Sequence, residues 1–193
     1  MTTTISNIAE VQIGYQPKGS VQPNPNGTHR LIQVKDIRDD RTLNAIDIYR
    51  IMPERDPDRY LVTRGDVLFL ARGWRNYAVA IQDELQNTLA AGTFYIARIK
   101  TVSLLPEYLA WYINQPRTQA ILKPRAQATN IPLVTKSVFE TLEIDIPPLS
   151  VQRAIVELDN LAKKEQALLA RLVNKRRQLV FAICMNAIKR TKE

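Results

Sequence analysis

The sequence predicts an α+β chain, a globular domain of mixed strands and short helices followed by one long C-terminal coiled-coil helix. Three observations carry this reading. Short apolar segments with strand-like patterning fill the first hundred residues. Two segments opened by Pro106 and Pro116 have helical character and are followed by one more alternating segment. A hard stop, Ile146-Pro147-Pro148-Leu149-Ser150, then precedes a run from about Val151 to about Lys189 that contains neither Pro nor Gly. The expected boundaries are a domain over 1–148 and a long helix over 149–193.

Taken in order, Ile5 to Tyr15 leads into a short strand at Val11-Gln12-Ile13, and Gln16 to Thr28 is loop, rich in Pro and Gly. His29 to Ile37 alternates around Leu31, Gln33 and Lys35 and is expected to be a strand. Asp36 to Arg59 mixes both charges densely and is expected to be an exposed excursion. Arg64-Gly65-Asp66 is a turn feeding a buried strand, Val67-Leu68-Phe69-Leu70. Further strands are expected at Tyr77–Ile81 and over Leu89–Ile99, the latter interrupted by Gly92. Helices follow over Glu107–Ile113 and from Pro116 through Leu122, where Pro124 ends the second, and Ala126 to Pro132 is polar loop. Ser137 and Glu140 have capping-box spacing for a short helix, and Leu142–Ile146 alternates as the last strand.

The terminal run fits a heptad. Alternating steps of four and three give Val151, Ile155, Leu158, Ala162, Glu165, Leu169, Leu172, Arg176, Leu179, Ile183 and Asn186, of which eight of eleven are apolar. The apolar eight are the expected dimer interface. Glu165, Arg176 and Asn186 are polar breaks of the kind that cost stability and fix register or orientation. Two fates remain open for this stripe: a seam with a partner, or folding back on the chain's own domain.

Composition bounds the chemistry. The chain has 193 residues and a net charge of +8. Residues 1–149 hold 17 Lys and Arg against 15 Asp and Glu, whereas residues 150–193 hold 10 against 4, so the basic surplus sits mostly on the terminal helix. A basic chain suggests a polyanionic partner, nucleic acid above all, although a solvated helix face would give the same surplus. The single Cys184 excludes an internal disulfide and a Cys-based zinc site. The single His29 cannot build a multi-histidine metal centre or a pair of histidine acid and base, so no metal site and no cofactor are expected on this chain. Gly14 to Gly19 has P-loop spacing but lacks the lysine after the second glycine, and no Gly-x-Gly-x-x-Gly occurs. Asp-x-Lys and Glu-x-Lys triplets are absent, as is the Asn/Asp-Pro-Pro-aromatic motif of amino-methyltransferases. No apolar run approaches the ~20 residues of a membrane span. The start, Met1 to Ser6, has no secretory pattern, which makes the cytoplasm the expected location.

Two segments have the residue types that read nucleic acid. In Arg72-Gly73-Trp74-Arg75-Asn76-Tyr77, arginine can grip guanine O6 and N7, asparagine can pair with adenine, and Trp74 and Tyr77 can pack on sugar or a base step. A surface hairpin with one buried aromatic explains the same residues. The second is Lys123-Pro124-Arg125-Ala126-Gln127-Ala128-Thr129-Asn130, where Lys123 and Arg125 suit phosphates and Gln127 and Asn130 suit base edges or backbone, with a plain solvated loop as the alternative. The Asn- and Gln-rich stretch Lys18 to Arg30 is a weaker third candidate, for which disorder is the alternative.

Several short segments, in order, resemble the specificity subunit of type I restriction–modification systems. They are Ile8-Ala9-Glu10 through Gly14, Ile32-Gln33-Val34-Lys35-Asp36-Ile37, Gly65-Asp66-Val67-Leu68-Phe69, Tyr108–Ile113, Asn130-Ile131-Pro132-Leu133, and Leu142 through Ile155 with its Pro-Pro-to-Gln step. The resemblance implies a non-catalytic DNA target-recognition domain followed by a spacer helix. Full-length members carry two such units whose helices form an antiparallel coiled coil, and one unit alone looks like a half-length subunit that homodimerises to read a bipartite symmetric site. The implied partners are double-stranded DNA, a methyltransferase subunit bringing the S-adenosylmethionine, and a restriction subunit as a further member. The alternative is an interaction module or degenerate antagonist that binds the methyltransferase without reading DNA.

Overall fold

The computed structural model of the chain describes residues 1–17, 19, 22–122 and 131–190, with side chains described as far as residue 188. It forms two compact units, Met1–Ala154 and Ile155–Glu193. The strands are β1 (Thr2–Thr4), β2 (Ala9–Ile13), β3 (His29–Ile32), β4 (Arg50–Ile51), β5 (Val67–Leu70), β6 (Ala78–Ala80), β7 (Thr88–Ala90), β8 (Phe94–Ile99) and β9 (Glu143–Asp145). The helices are α1 (Ile5–Ile8), α2 (Pro106–Ile113), α3 (Pro116–Leu122), α4 (Lys136–Glu140) and α5 (Leu149–Arg190). This is the α+β arrangement that the sequence predicts, ending in the long helix.

The central sheet runs β2-β8-β5-β6, all antiparallel. Its inner strand β5 is apolar at every position because both of its faces are covered, and all four side chains are buried. On one side Leu68 and Leu70 join Ile32, Ile81, Phe94 and Ile96 in the main core. On the other, Phe69 stacks on Phe139 of α4 with ring centroids 4.3 Å apart, and Tyr95 lies against both rings. Full burial of side chains of this size contributes roughly 1.5–3 kcal/mol each. A second sheet, β4-β3-β7, holds a smaller core of Tyr15, Leu31, Ile51, Tyr60 and Leu89. The two sheets meet where Gly14 crosses the end of β7. A Cβ on Gly14 would stand 2.3 Å from the Ala91 carbonyl oxygen, so a backbone crossing rather than phosphate binding explains this glycine.

Four local expectations are corrected. β3 ends at Ile32 instead of running to Ile37, because the Asp36 carboxylate accepts the Gln33 N–H at 2.8 Å and closes a 3-10 turn over Val34–Asp36. The charged stretch 36–59 is not wholly exposed: Ile48 and Ile51 are buried, and β4 pairs with β3. The cap of α4 is Thr135, whose hydroxyl accepts the Val138 N–H at 3.4 Å, in place of Ser137. The last strand β9 pairs with an N-terminal strand, β1, that local patterning did not reveal.

The start of α5 is fixed by one amide. Gln152 is fully buried; its Oε1 accepts the Leu105 N–H at 2.9 Å, and its Nε2 donates to the carbonyls of Ser103 and Pro147 at 2.8 and 2.7 Å. Among the described residues these three groups have no other backbone partner, so the side chain satisfies backbone that burial would otherwise penalise. In all, α5 spans 42 residues, a rod on the order of 60 Å long. The leucines of its apolar stripe are exposed, from 51% at Leu172 to 66% at Leu158. Among the described residues no helix is long and apolar enough to cross a membrane.

Two predictions follow from this packing. Gln152→Ala leaves one N–H and two carbonyls unpaired, and the expected loss is about 2–4 kcal/mol. Urea unfolding of the two proteins measures it, and a difference within about 0.5 kcal/mol would contradict the brace. The second concerns Tyr108, whose hydroxyl donates to the Asp145 carbonyl at 2.7 Å. Burial first, then Tyr112 and Asp145, push its phenol up to about 12. A raised folded-state value means that its contribution is fully present below the ordinary tyrosine range near ~10 and is lost as pH rises through about 12. Phenolate absorbance should therefore show a late-titrating tyrosine that Tyr108→Phe removes; titration of all tyrosines together near ~10 would refute it.

Candidate nucleic-acid interface

A concavity of about 1080 Å³ in the domain is lined by the β5–β6 connection, by the loop after Val34, by one side of α3 and by Pro132. The connection is held by backbone. Leu70 N–H donates to the Tyr77 carbonyl at 2.8 Å, Ala71 N–H to the Thr93 carbonyl at 3.0 Å, and Gly73 N–H to the Pro132 carbonyl at 2.9 Å. Val134 N–H donates to the Ala71 carbonyl at 2.9 Å, and Arg72 bridges Leu133. Gly73 has φ +137°, a conformation that side chains rarely adopt, which is why the tip of this hairpin needs glycine.

Sequence-derived candidates fall differently on this geometry. Arg72, Trp74, Arg75, Asn76 and Tyr77 all line the cleft. Arg72 and Arg75 are exposed, and Trp74 is 77% exposed, an unusual state for an indole. Asn76 is different: its Nδ2 donates to the carbonyls of Leu70 and Ala71 at 2.9 and 3.1 Å, so both amide hydrogens are already used in closing the hairpin. Tyr77 is half-buried, and its phenol pKa is raised by burial, against a lowering by the nearby charge of Arg41. Lys123, Arg125, Gln127 and Asn130 lie outside the described residues. Ala120 and Pro132, on either side of that segment, line the same cleft. In the third stretch Lys18, Ser20 and Val21 lie outside the described residues; of the others, Asn24 N–H is tied to the Arg50 carbonyl at 2.9 Å, and Gln22 to Pro25 line a separate cavity of about 400 Å³.

The cleft also contains residues that sequence reasoning missed. Ile37 pairs with Leu43 across a tight turn, in which Arg38 N–H donates to the Thr42 carbonyl at 2.9 Å. Asp40 closes the turn by accepting the N–H and the hydroxyl of Thr42. Arg41 sits at φ +64°, in the left-handed region that costs a non-glycine residue about 1 kcal/mol. Arg38 is oriented by a 3.0 Å bond from Nη2 to Asn44 Oδ1. Arg38, Arg41, Arg72 and Arg75 therefore line one cleft with a single carboxylate, Asp39, and none of the four forms an ion pair among the described residues. The Asp39-Asp40 pair is a turn signal, but nothing local says which surface the turn faces. Asn114 was also missed. At the end of α2 its side chain accepts the Ala78 N–H at 2.9 Å and donates to the Ala78 carbonyl at 2.8 Å, pinning the outer strand β6 beside the loop.

Chemically, the cleft offers forked cations, an exposed aromatic plane and a backbone that does not depend on those side chains. Among the described residues no group of His, Cys, Asp and Glu could hold a metal ion. The seam residues Leu158, Leu169, Leu172, Leu179 and Ile183 are each more than half exposed, Val151 is 44% exposed, Ala162 is exposed and Ile155 is partly exposed.

Comparison with known proteins is consistent with this architecture. An HsdS subunit from Thermoanaerobacter tengcongensis superposes with a TM-score of 0.62 at 19% identity, over 89% of this chain and 39% of that one. A chain from a study of complex assembly and conformational transition of the type I R-M system gives 0.61 at 20% identity, over 89% and 40%. The type I restriction–modification S subunit from M. genitalium gives 0.56 at 15%, over 92% and 42%. At these identities the likeness is one of fold, and the chain spans about two fifths of the length of each. Curated protein sequences provide no match. The family's sequence model matches residues 1–174, all of the unit Met1–Ala154 and more than half of the long helix, and on that match the chain belongs to the type I restriction modification DNA specificity domain family.

Proposed function

We propose that this chain is the non-catalytic DNA-reading component of a type I restriction–modification system. The arginine-lined cleft carries the reading: four guanidiniums that form no ion pair among the described residues border an exposed indole on a loop fixed by backbone bonds. Such a site suits a phosphodiester backbone with base edges beside it. Arg72 and Arg75 grip bases or phosphates, Trp74 packs on sugar or a base step, and Tyr77 forms the cleft wall. Asn76 holds the loop in shape rather than reading adenine, since its donors are spent on Leu70 and Ala71. Lys123, Arg125, Gln127 and Asn130 add phosphate and base-edge contacts.

The exposed seam supports the rest of the proposal. Two copies pair through Val151, Ile155, Leu158, Ala162, Leu169, Leu172, Leu179 and Ile183, so that two domains read the halves of a bipartite site, one or more helical turns of ~34 Å apart. The assembly directs a methyltransferase subunit, which supplies S-adenosylmethionine and the chemistry, and a restriction subunit completes the system.

Binding to a mixed-sequence duplex, followed by fluorescence anisotropy across a salt series, tests the reading. Affinity should fall steeply with salt, by about 0.9 in log–log slope for each phosphate engaged. Arg72→Ala and Arg75→Ala should each cost roughly 1–3 kcal/mol on the cognate site, once methylome sequencing has identified it. Absence of duplex binding, with and without the methyltransferase subunit, is the result expected of a module that docks on that subunit without reading DNA. Arg41 gives an independent check. Arg41→Asn keeps a residue that tolerates positive φ but removes the cation. The thermal midpoint should hold or rise while duplex affinity falls and the salt slope becomes shallower by about one contact. Unchanged affinity would remove Arg41 from the interface.

A further inference from the structure

The seam of α5 is symmetric about a point midway between Leu169 and Leu172. Counting outward from that point in both directions, Leu169 matches Leu172, Glu165 matches Arg176, Ala162 matches Leu179, and Leu158 matches Ile183. In an antiparallel pair of identical helices these are the residues that face each other, and a twofold axis produces every facing pair twice. The two charged breaks in the stripe are thereby placed opposite each other with opposite sign.

The geometry points to a second copy of this chain as the occupant of the exposed seam, bound antiparallel, in the register that sets Glu165 against the partner's Arg176. This inference rests on the proposed self-association and specifies how that association is aligned. The competing arrangements are worse on the same residues. A parallel pair sets Glu165 against the partner's Glu165 and Arg176 against the partner's Arg176, two like-charge contacts in one interface. A slip of one heptad in either direction leaves the antiparallel geometry intact but sets Arg176 against the partner's leucine, and Glu165 against the partner's Leu169 or Ile183. That buries each charge beside an apolar side chain with no counter-charge. Both side chains are exposed, and neither forms an ion pair among the described residues, so they are available for a partner. Polar seam positions give little stability and are best attested as devices that fix register.

Charge reversal in the full chain, read by sedimentation velocity over a concentration series, tests the register. Glu165→Arg replaces two attractive contacts with two repulsive ones, and Arg176→Glu does the same with the opposite sign. Each should weaken self-association by about tenfold or more. The chain carrying both substitutions restores two attractive contacts and should associate like the wild type. Its recovery also shows that neither single change acts by unfolding the helix. Mixing the two single variants should likewise yield a complementary dimer. Single variants that associate as tightly as the wild type, or a double variant that fails to recover, would overturn the register while leaving self-association in place. A wild type that stays monomeric at tens of micromolar overturns both.

Discussion

The backbone pairing of β5 continues past its last strand residue, and the candidate interface depends on that continuation. Ala71 pairs with Thr93 on one side and with Val134 on the other, Arg72 bridges Leu133, and Gly73 reaches the Pro132 carbonyl. Three segments distant in sequence are thus joined by main-chain bonds at the rim of the cleft. Asn76 and Asn114 close the remaining sides with side-chain amides aimed at backbone groups. The shape is fixed in this way by main chain and amides, and the side chains of Arg72, Trp74 and Arg75 form no ion pair with it among the described residues. A loop that needed those side chains to hold itself together would have to rearrange before it could bind.

The use of arginine within the domain sharpens the point. Arg98 serves the fold: its guanidinium reaches the buried Asp66 carboxylate at 3.1 Å and the Leu61 carbonyl at 2.9 Å. The hydrogen bond it donates to Asp66 raises its pKa first, with burial opposing. Removing either partner would strand the other, so this pair resists change. The four cleft arginines form no such ion pair among the described residues, and Asp39 is the one carboxylate among the described residues lining the cleft with them. One of them, Arg41, is held in a backbone conformation that glycine would adopt without cost. Strain and a surplus of positive charge gathered in one concavity make sense if an anion completes it, since polyanion binding offsets the surplus and releases counterions.

What the sequence revealed depended on how local each signal was. β5 was legible from four consecutive apolar residues, α2 from Pro106 at its first turn, and α5 from the Pro147-Pro148 stop and the heptad that follows. Residue chemistry singled out Arg72–Tyr77, and these residues line the cleft. The pairing of β1 with β9 was hidden because its partners stand at opposite ends of the domain, and three threonines carry no hydrophobic alternation. The turn at Arg38–Thr42 was read as part of an exposed charged stretch. Only tertiary packing brings it opposite a hairpin more than thirty residues away. Asn114 and Thr135 escaped for a related reason: a capping or bridging amide looks like any surface polar residue until its backbone partner is known.

The cleft and the helix divide labour in the same way. Apolar burial is roughly proportional to area and carries no direction, so the leucines of α5 can drive association without choosing parallel from antiparallel or one heptad from the next. The main-chain ladder around β5 can likewise fix a loop without choosing what it binds. Choice falls to the few charged groups set within each frame. In the cleft those are four arginines beside the one carboxylate of Asp39 among the described residues; on the helix they are one glutamate and one arginine, equidistant from the centre of the stripe. In both places a change of sign at a single position should alter which partner fits, and how it is oriented, while the frame itself persists.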